Sequence, residues 1–397
     1  MSAITLQNIK HLTRELIDEI ITFRRWLHQN PELSFEEQNT AKYIAAVLGQ
    51  NSINFREGVA GTGIIASIKG EAGEGRTLAL RADIDALPIQ ENSGLAFSSK
   101  NYGVMHACGH DAHTASLLGT GIMLNKLKKS WGGTILLIFQ PGEEKHPGGA
   151  SILLQEGALE NPKPDYIIGQ HVLPEMESGK LGFRKGICMA SADEIYITIK
   201  GKGGHAAIPH TLNDTVLASA QLIVSLQQVV SRIAPASIPI VLSFGKIEAK
   251  GATNIIPEKV EIAGTLRAMD EKWRAIIKEK IKDITVTTAL AYGCSAEIDI
   301  KDGYPMVLNN DELTEKVREL AAQYVGRDNV EEMELRMTAE DFGFYTHRFP
   351  ATFYRFGVKQ PNVNTGSLHS PQFNLNEDSL ETSAGAMTWI AINLLSD

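Results

Sequence analysis

Cysteine is scarce: Cys108, Cys188 and Cys294 are the only three in 397 residues, too few and too scattered for a disulfide framework. Basic charge is in deficit too, with 38 Lys and Arg against 47 Asp and Glu and a formal net charge of −9. A nucleic-acid binder needs a cationic surface to displace counterions from phosphate, so that class is not expected. No uninterrupted apolar run approaches the roughly 20 residues that cross a bilayer. The densest, Ile135 to Phe139, has only the length of a strand. The opening segment, Met1 to Ile20, carries charges throughout and lacks an apolar signal core, which predicts a cytoplasmic address. What is present, 43% hydrophobic and 21% charged, is the composition of a folded chain, and its length calls for more than one domain. These exclusions leave an intracellular enzyme.

Apolar residues at Ile9, Leu12, Leu16, Ile20, Phe23 and Leu27 recur every three or four positions and predict an opening helix. It stops near His28–Pro31, where proline cannot continue the hydrogen-bond ladder. A second helix is expected over Thr40 to Leu48. Gly63–Lys69 and Arg76–Ala82 read as strands around a polar, glycine-rich hairpin loop, Gly70–Gly75. A helix from Ala112 to Lys128, a strand Thr134–Gln140, a helix near Ala150–Glu156 and a short strand Asp165–Gln170 follow. Apolar strands alternating with helices predict an α/β domain whose mostly parallel central sheet is covered on both faces.

From about Cys188 the pattern changes. Ile195, Ile197 and Ile199 alternate with polar residues as in a half-buried strand, and Asn213 to Arg232 reads as a helix. Ile238–Ala249 and Val260–Ala268 read as strands, Asp270–Ala291 as a helix and Ser295–Lys301 as a last strand. That β-α-β-β-α-β order is the ferredoxin-like pattern, a complete small domain. A helix from Asp311 to Tyr324, a strand Thr352–Phe356 and a helix from Asp378 to Leu395 then resume the first style. The expected organisation is a discontinuous catalytic domain, 1–187 and 304–397, with 188–303 inserted as a smaller domain.

Chemistry-bearing residues gather at strand ends. His106-Ala-Cys108-Gly-His110-Asp111-Ala-His113 packs three histidines, a cysteine and an aspartate just before a helix. A solvated turn with Asp111 as helix cap would explain one of them but not the set. A thiolate and an imidazole two positions apart, Cys108 and His110, suit Zn, Mn, Ni or Co. Asp83 and Asp85 close one predicted strand, Glu143 and Glu144 follow another after a Pro-Gly turn, and His171 ends a third. In an open α/β sheet the active crevice lies beyond the carboxyl ends of the strands, so three strands deliver these groups to one edge. Adjacent Glu143 and Glu144 allow one carboxylate to bind a metal while the other takes a proton from activated water. Taken alone, His369 reads as a surface histidine, and Asn254 and Arg267 as a turn residue and a strand-surface cation. Gly201-Lys-Gly-Gly-His205 lacks the order of a phosphate loop, so nucleotide binding is discounted.

Together, Asp83-Ile-Asp85, the His106–His113 segment, Gln140-Pro-Gly-Glu143-Glu144, Gly169-Gln-His171-Val, Gly204-His205-Ala-Ala and Glu340-Asp341-Phe342 resemble one known set. It is the metallopeptidase superfamily of aminoacylases and glutamate carboxypeptidases. The cysteine-containing version is similar to the amidohydrolase branch of hippurate hydrolases, auxin-conjugate hydrolases and acetyl-diaminopimelate deacetylases. The likeness runs from Arg24 to His369 with its motifs in order.

That resemblance implies two divalent metal ions per subunit. Cys108 matches the bridging ligand, His110 and His171 complete one site, and Glu144 and His369 the other. Glu143 matches the general base and Asp85 the aspartate that orients a ligand from behind. Asp83 stands where relatives outside the branch have a metal-binding histidine, and its role is left open. His205 matches a histidine that reaches a neighbouring subunit's site, which implies a homodimer through the inserted domain. Asn254 and Arg267 match residues that hold a substrate carboxylate. Gly142, Lys145-His146-Pro147, Leu212 and Thr215 depart from the branch pattern and bear on substrate choice rather than on metal binding. The implied reaction is hydrolysis of an N-acyl amino acid. A dipeptidase or aminopeptidase on the same scaffold, or a metal-binding scaffold without catalysis, are the alternatives.

Overall fold

The computed structural model describes residues 4–360 and 365–395. The chain opens with α1 (Leu6–Gln29), α2 (Gln38–Gln50), β1 (Asn54–Val59), β2 (Gly63–Lys69) and β3 (Thr77–Asp83). There follow α3 (His110–Lys126), β4 (Thr134–Gln140), α4 (Gly149–Gln155), β5 (Tyr166–Glu177), β6 (Leu181–Phe183) and β7 (Gly186–Met189). Next come β8 (Asp193–Lys200), β9 (Gly204–His205), α5 (Thr215–Leu226), β10 (Ile240–Ala249), β11 (Ile255–Ile256), β12 (Lys259–Ala268), α6 (Glu271–Ala291) and β13 (Ser295–Asp302). The chain closes with β14 (Val307–Asn309), α7 (Asp311–Val325), β15 (Val330–Glu332), α8 (Gly343–Thr346), β16 (Ala351–Lys359) and α9 (Ser379–Leu395).

Two compact units result: 1–188 with 308–334 and 344–397, and 189–307 with 335–343. The sequence reading kept 335–343 with the catalytic domain. They join the smaller unit because the Ala190 N–H donates to the carbonyls of Arg336 and Thr338, both at 3.1 Å.

The larger unit is built on an eight-stranded sheet, ordered β1-β2-β4-β3-β5-β16-β6-β15. Its central pairs β4–β3, β3–β5 and β5–β16 are parallel. The inner strands are apolar on both faces; β4 is buried from Ile135 to Gln140. One expectation fails here. β2 and β3 do not form a hairpin, because β4 lies between them, antiparallel to β2 and parallel to β3. An apolar strand buried on both faces also needs a hydrogen-bonding neighbour on both edges, which outweighs the short connection. The actual hairpin joins β1 to β2; β1 escaped notice because Asn-Phe-Arg-Glu-Gly-Val is polar and largely exposed.

Helix α1 is capped by Thr5, whose hydroxyl accepts from the Asn8 N–H while the Asn8 side chain accepts from the Thr5 N–H. It buries the stripe Ile9, Leu16, Ile20, Phe23 and Leu27. Helix α3 differs, being buried continuously from His110 to Leu124. Its small residues Ala, Gly, Ser and Thr permit that; a Cβ on Gly119 would lie 2.5 Å from Ile20 Cδ1. The buried helix is thus a fixed post: in its first turns His113 meets Asp83 at the end of β3 and the Val172 N–H within β5.

In the smaller unit β10-β12-β8-β13 form an antiparallel sheet, ordered as a ferredoxin-like fold requires for β-α-β-β-α-β connectivity. Ile195, Ile197 and Ile199 of β8 pack with Leu222 and Leu226 of α5 and Ile277 and Ile281 of α6. The sequence showed no long apolar run, yet Thr215–Ile233 forms one helical stretch with mean hydropathy 1.3, long and apolar enough to cross a membrane by length and composition. Interspersed Ser and Gln residues hid it. Its inner side fills this core, while Val216, Leu217 and Val224 are exposed.

Candidate metal centre

Gly109, at the N-cap of α3, has φ +81°, and a Cβ there would meet Val172 Cγ2 at 2.6 Å. Only glycine adopts that left-handed turn without cost, and it also lets β5 approach. The turn sets Cys108 on one side and His110, the first residue of α3, on the other.

His110 Nδ1 lies 2.9 Å from the Asp85 carbonyl and 3.2 Å from Asp85 Oδ1. That leaves Nε2, buried and without a hydrogen-bond partner among the described residues, facing the site. Burial would depress the His110 pKa, but the carboxylates of Asp83, Asp85 and Glu144 outweigh it and raise it to about 10. Asp85 also ties down the next segment: its Oδ2 accepts from Ser34 Oγ at 2.6 Å and from the Glu144 N–H at 3.0 Å.

His171 sits within β5, not at its end as expected, since the strand runs on to Glu177. Its pairing to β3 stops at Gly169 while pairing to β16 continues, so the next residues reach the site along an edge β3 no longer covers. His171 Nδ1 is 2.8 Å from the Val172 carbonyl, which fixes the proton there, and Nε2 lies 3.4 Å from Cys108 Sγ. Burial, reinforced by Arg355, holds this imidazole well below its usual pKa, so it is neutral and has a lone pair to give. Burial also pushes the Cys108 thiol up, with the Glu144, Glu143 and Asp83 carboxylates adding to it. A cation held here would reverse that balance and favour the thiolate of Cys108.

Two donor sets share the sulfur. Cys108, His110 and His171 have ligand atoms within 4.8 Å of one another, as do Cys108, Glu144 and His369. His369, exposed and with φ +59°, is anchored by its N–H on the Ala107 carbonyl at 2.9 Å; its Nε2 is 3.1 Å from Glu144 Oε1. The donors fit a metal ion. With bonds of about 2.3 Å to sulfur and 2.0–2.1 Å to nitrogen, a tetrahedral ion spaces the two donors roughly 3.5 Å apart, close to the Cys108–His171 separation. Glu143, buried beside them, also has a carboxylate oxygen within 4.8 Å of His110 and Glu144 donors.

His205, Asn254 and Arg267 belong to the smaller unit. β9 and β11 pair His205 with Ile255, and the Asn254 carbonyl accepts from the Ala206 N–H at 3.0 Å, so His205 and Asn254 are neighbours on one exposed ladder. Arg267 is half-buried on β12, where Nη1 donates to the Leu266 carbonyl at 3.2 Å; burial lowers its pKa.

Sequence reasoning gave no role to two groups that the fold places behind the site. Glu37 Oε1 accepts from the Gly142 N–H at 2.9 Å and so holds the loop carrying Glu143 and Glu144. His113 lies on the same face of α3 as His110, three residues on. That spacing was its available signal.

Comparison with known proteins adds a family. The profile of peptidase family M20/M25/M40 matches residues 79–393. An N-acyl-L-amino acid amidohydrolase of Geobacillus stearothermophilus is 41% identical over 308 residues, 78% of this chain and 82% of that protein. Thermostable carboxypeptidase 1 of Saccharolobus solfataricus is 37% identical over 98% of each chain. The crystal structure of Bacillus subtilis YXEP, described as a dinuclear metal-binding peptidase of family M20, superposes with a TM-score of 0.81 at 34% identity, covering 96% of this chain and 99% of that one.

Proposed function

Because the chain belongs to peptidase family M20/M25/M40, we propose that it is a metal-dependent hydrolase cleaving the amide bond of N-acyl amino acids. The observation that carries the reading is a sulfur common to two donor sets, Cys108 with His110 and His171, and Cys108 with Glu144 and His369. Those residues would hold two divalent ions, Mn, Zn, Ni or Co by donor type. When bound, the ions supply Lewis-acid polarisation of the amide carbonyl and bring the pKa of water towards about 7. Glu143 takes the proton of the attacking water on its carboxylate and returns it to the departing amine. Asp85 keeps His110 and the Glu144 backbone in place. The guanidinium of Arg267 and the amide of Asn254 bind the carboxylate of the amino-acid product half. His205, served by a partner subunit in a homodimer joined through the smaller unit, stabilises the oxyanion.

Glu143→Gln should keep the wild-type metal content while turnover of an N-acetyl amino acid falls by at least ~10²-fold. A variant that keeps its rate removes Glu143 as base. Assays of N-acetyl amino acids beside dipeptides with free amino termini separate the amidohydrolase from a peptidase, the reading that the carboxypeptidase relative would favour. Faster cleavage of the dipeptides would overturn the substrate class.

A further inference from the structure

Asp83, His110 and His113 form a third buried group whose donor atoms lie within 4.8 Å of one another. By residue type it could be read as another metal site. Its hydrogen bonds argue otherwise. The Val172 N–H can only donate, and it donates to His113 Nε2 at 2.9 Å. That nitrogen must therefore carry the lone pair, which puts the ring proton on Nδ1, 2.6 Å from Asp83 Oδ1. Both nitrogens of His113 are thus committed. Asp83 Oδ2 is committed as well, to Arg81 Nη1 at 2.6 Å, and all three side chains are fully buried.

The far end of this chain of contacts is the backbone of Val172, whose N–H and C=O lie on the two peptide groups flanking its Cα. Its N–H is held by His113, its carbonyl receives the Nδ1 proton of His171, and its side chain packs against Gly109, between Cys108 and His110. We propose that Asp83 and His113 are positioning residues rather than ligands: they hold the Val172 backbone through its N–H, and its carbonyl in turn fixes the tautomer and ring plane of His171. The inference rests on the reading that His171 binds a metal ion. It also explains why an aspartate suits position 83. A carboxylate can span the Arg81 guanidinium and the His113 N–H at once, while Thr114 Oγ1 holds its backbone carbonyl at 2.8 Å.

The test uses metal-stripped full-length wild type, Asp83→Asn, His113→Ala and His113→Gln. Each is titrated with Co²⁺ while the thiolate-to-cobalt absorption is followed, and ions bound at saturation are counted by equilibrium dialysis. Wild type and all variants should take up two ions, with one of them bound ~10–100-fold more weakly by His113→Ala and Asp83→Asn. His113→Gln should recover most of the loss, since its amide oxygen can accept from Val172 and its amide nitrogen can donate to Asp83. Melting curves of the metal-free proteins check folding; if His113→Ala does not fold, Asp83→Asn and His113→Gln give the same comparison. A lower ion count at saturation in Asp83→Asn, unrestored in His113→Gln, would make these residues ligands and overturn the proposal. Unchanged affinity in every variant would overturn it too. A wild type that takes up no ion overturns the underlying metal reading, and this inference with it.

Discussion

Glu37 shows how a single residue can matter without chemistry of its own. Its carboxylate is buried; desolvation first, then the nearby Asp85 charge, raises its pKa from 4.5 to about 7, against the lowering effect of hydrogen bonds from Thr62 and the backbone. Since the folded pKa exceeds the unfolded one, the native state holds a proton that the unfolded chain gives up between those values. The stabilisation is complete below about 4.5 and lost as pH rises through about 7. Glu37→Gln keeps an oxygen for the Gly142 N–H and does not ionise. In the metal-free protein, melting temperatures measured from pH 5 to 8 should fall for wild type relative to this variant. Parallel curves would mean that Glu37 does not titrate there. Cys108 and His110 were legible in the sequence because they lie within one short motif. Glu37 was not, since its partner Gly142 is 105 positions away and only the fold makes them neighbours.

At the scale of elements, the reading from residue pattern succeeded where one periodicity dominated and failed where pairing decided. The stripe of α1 and the alternation of β8 each follow from the element's own sequence. The order of β2, β4 and β3 does not, because it depends on which edges must be covered once three apolar runs are brought together. The turn between Cys108 and His110 offers the sharpest elemental test. Gly109→Ala should pay about 1–2 kcal/mol for a left-handed alanine, plus a steric cost against Val172. Adding Val172→Ala should recover the steric share and leave the backbone share. Urea unfolding of the metal-free single and double variants measures both, and a Gly109→Ala protein as stable as wild type would show that the turn is not under this constraint.

Taken as a whole, the molecule separates the proposed metal ligands, all in one unit, from His205, Asn254 and Arg267, all in the other. The sequence placed these groups on different domains because the apolar pattern changes near Cys188; residue pattern alone could not say which site His205 serves, and the expectation that it reaches a neighbouring subunit's site rested on the family resemblance, since it depends on a second chain. The smaller unit exposes Leu217 and Val224 on α5 and ends its sheet on β10, which exposes Ile247. Unpaired edges and apolar faces of this kind invite self-association. If the homodimer forms there, Leu217→Glu with Val224→Glu should shift sedimentation to the monomer and reduce turnover while metal content holds. Mixing two inactive proteins then distinguishes cis from trans. In a heterodimer of His205→Ala and Glu143→Gln chains, the site with Glu143 intact borrows His205 from its partner, so one site in two works. Half of the dimers in an equal mixture are heterodimers, and activity should return to roughly a quarter of wild type under two-fold symmetry. No recovery, after exchange of subunits has been verified, would place His205 with the site of its own chain, and a His205→Ala protein already active by itself would remove it from the reaction.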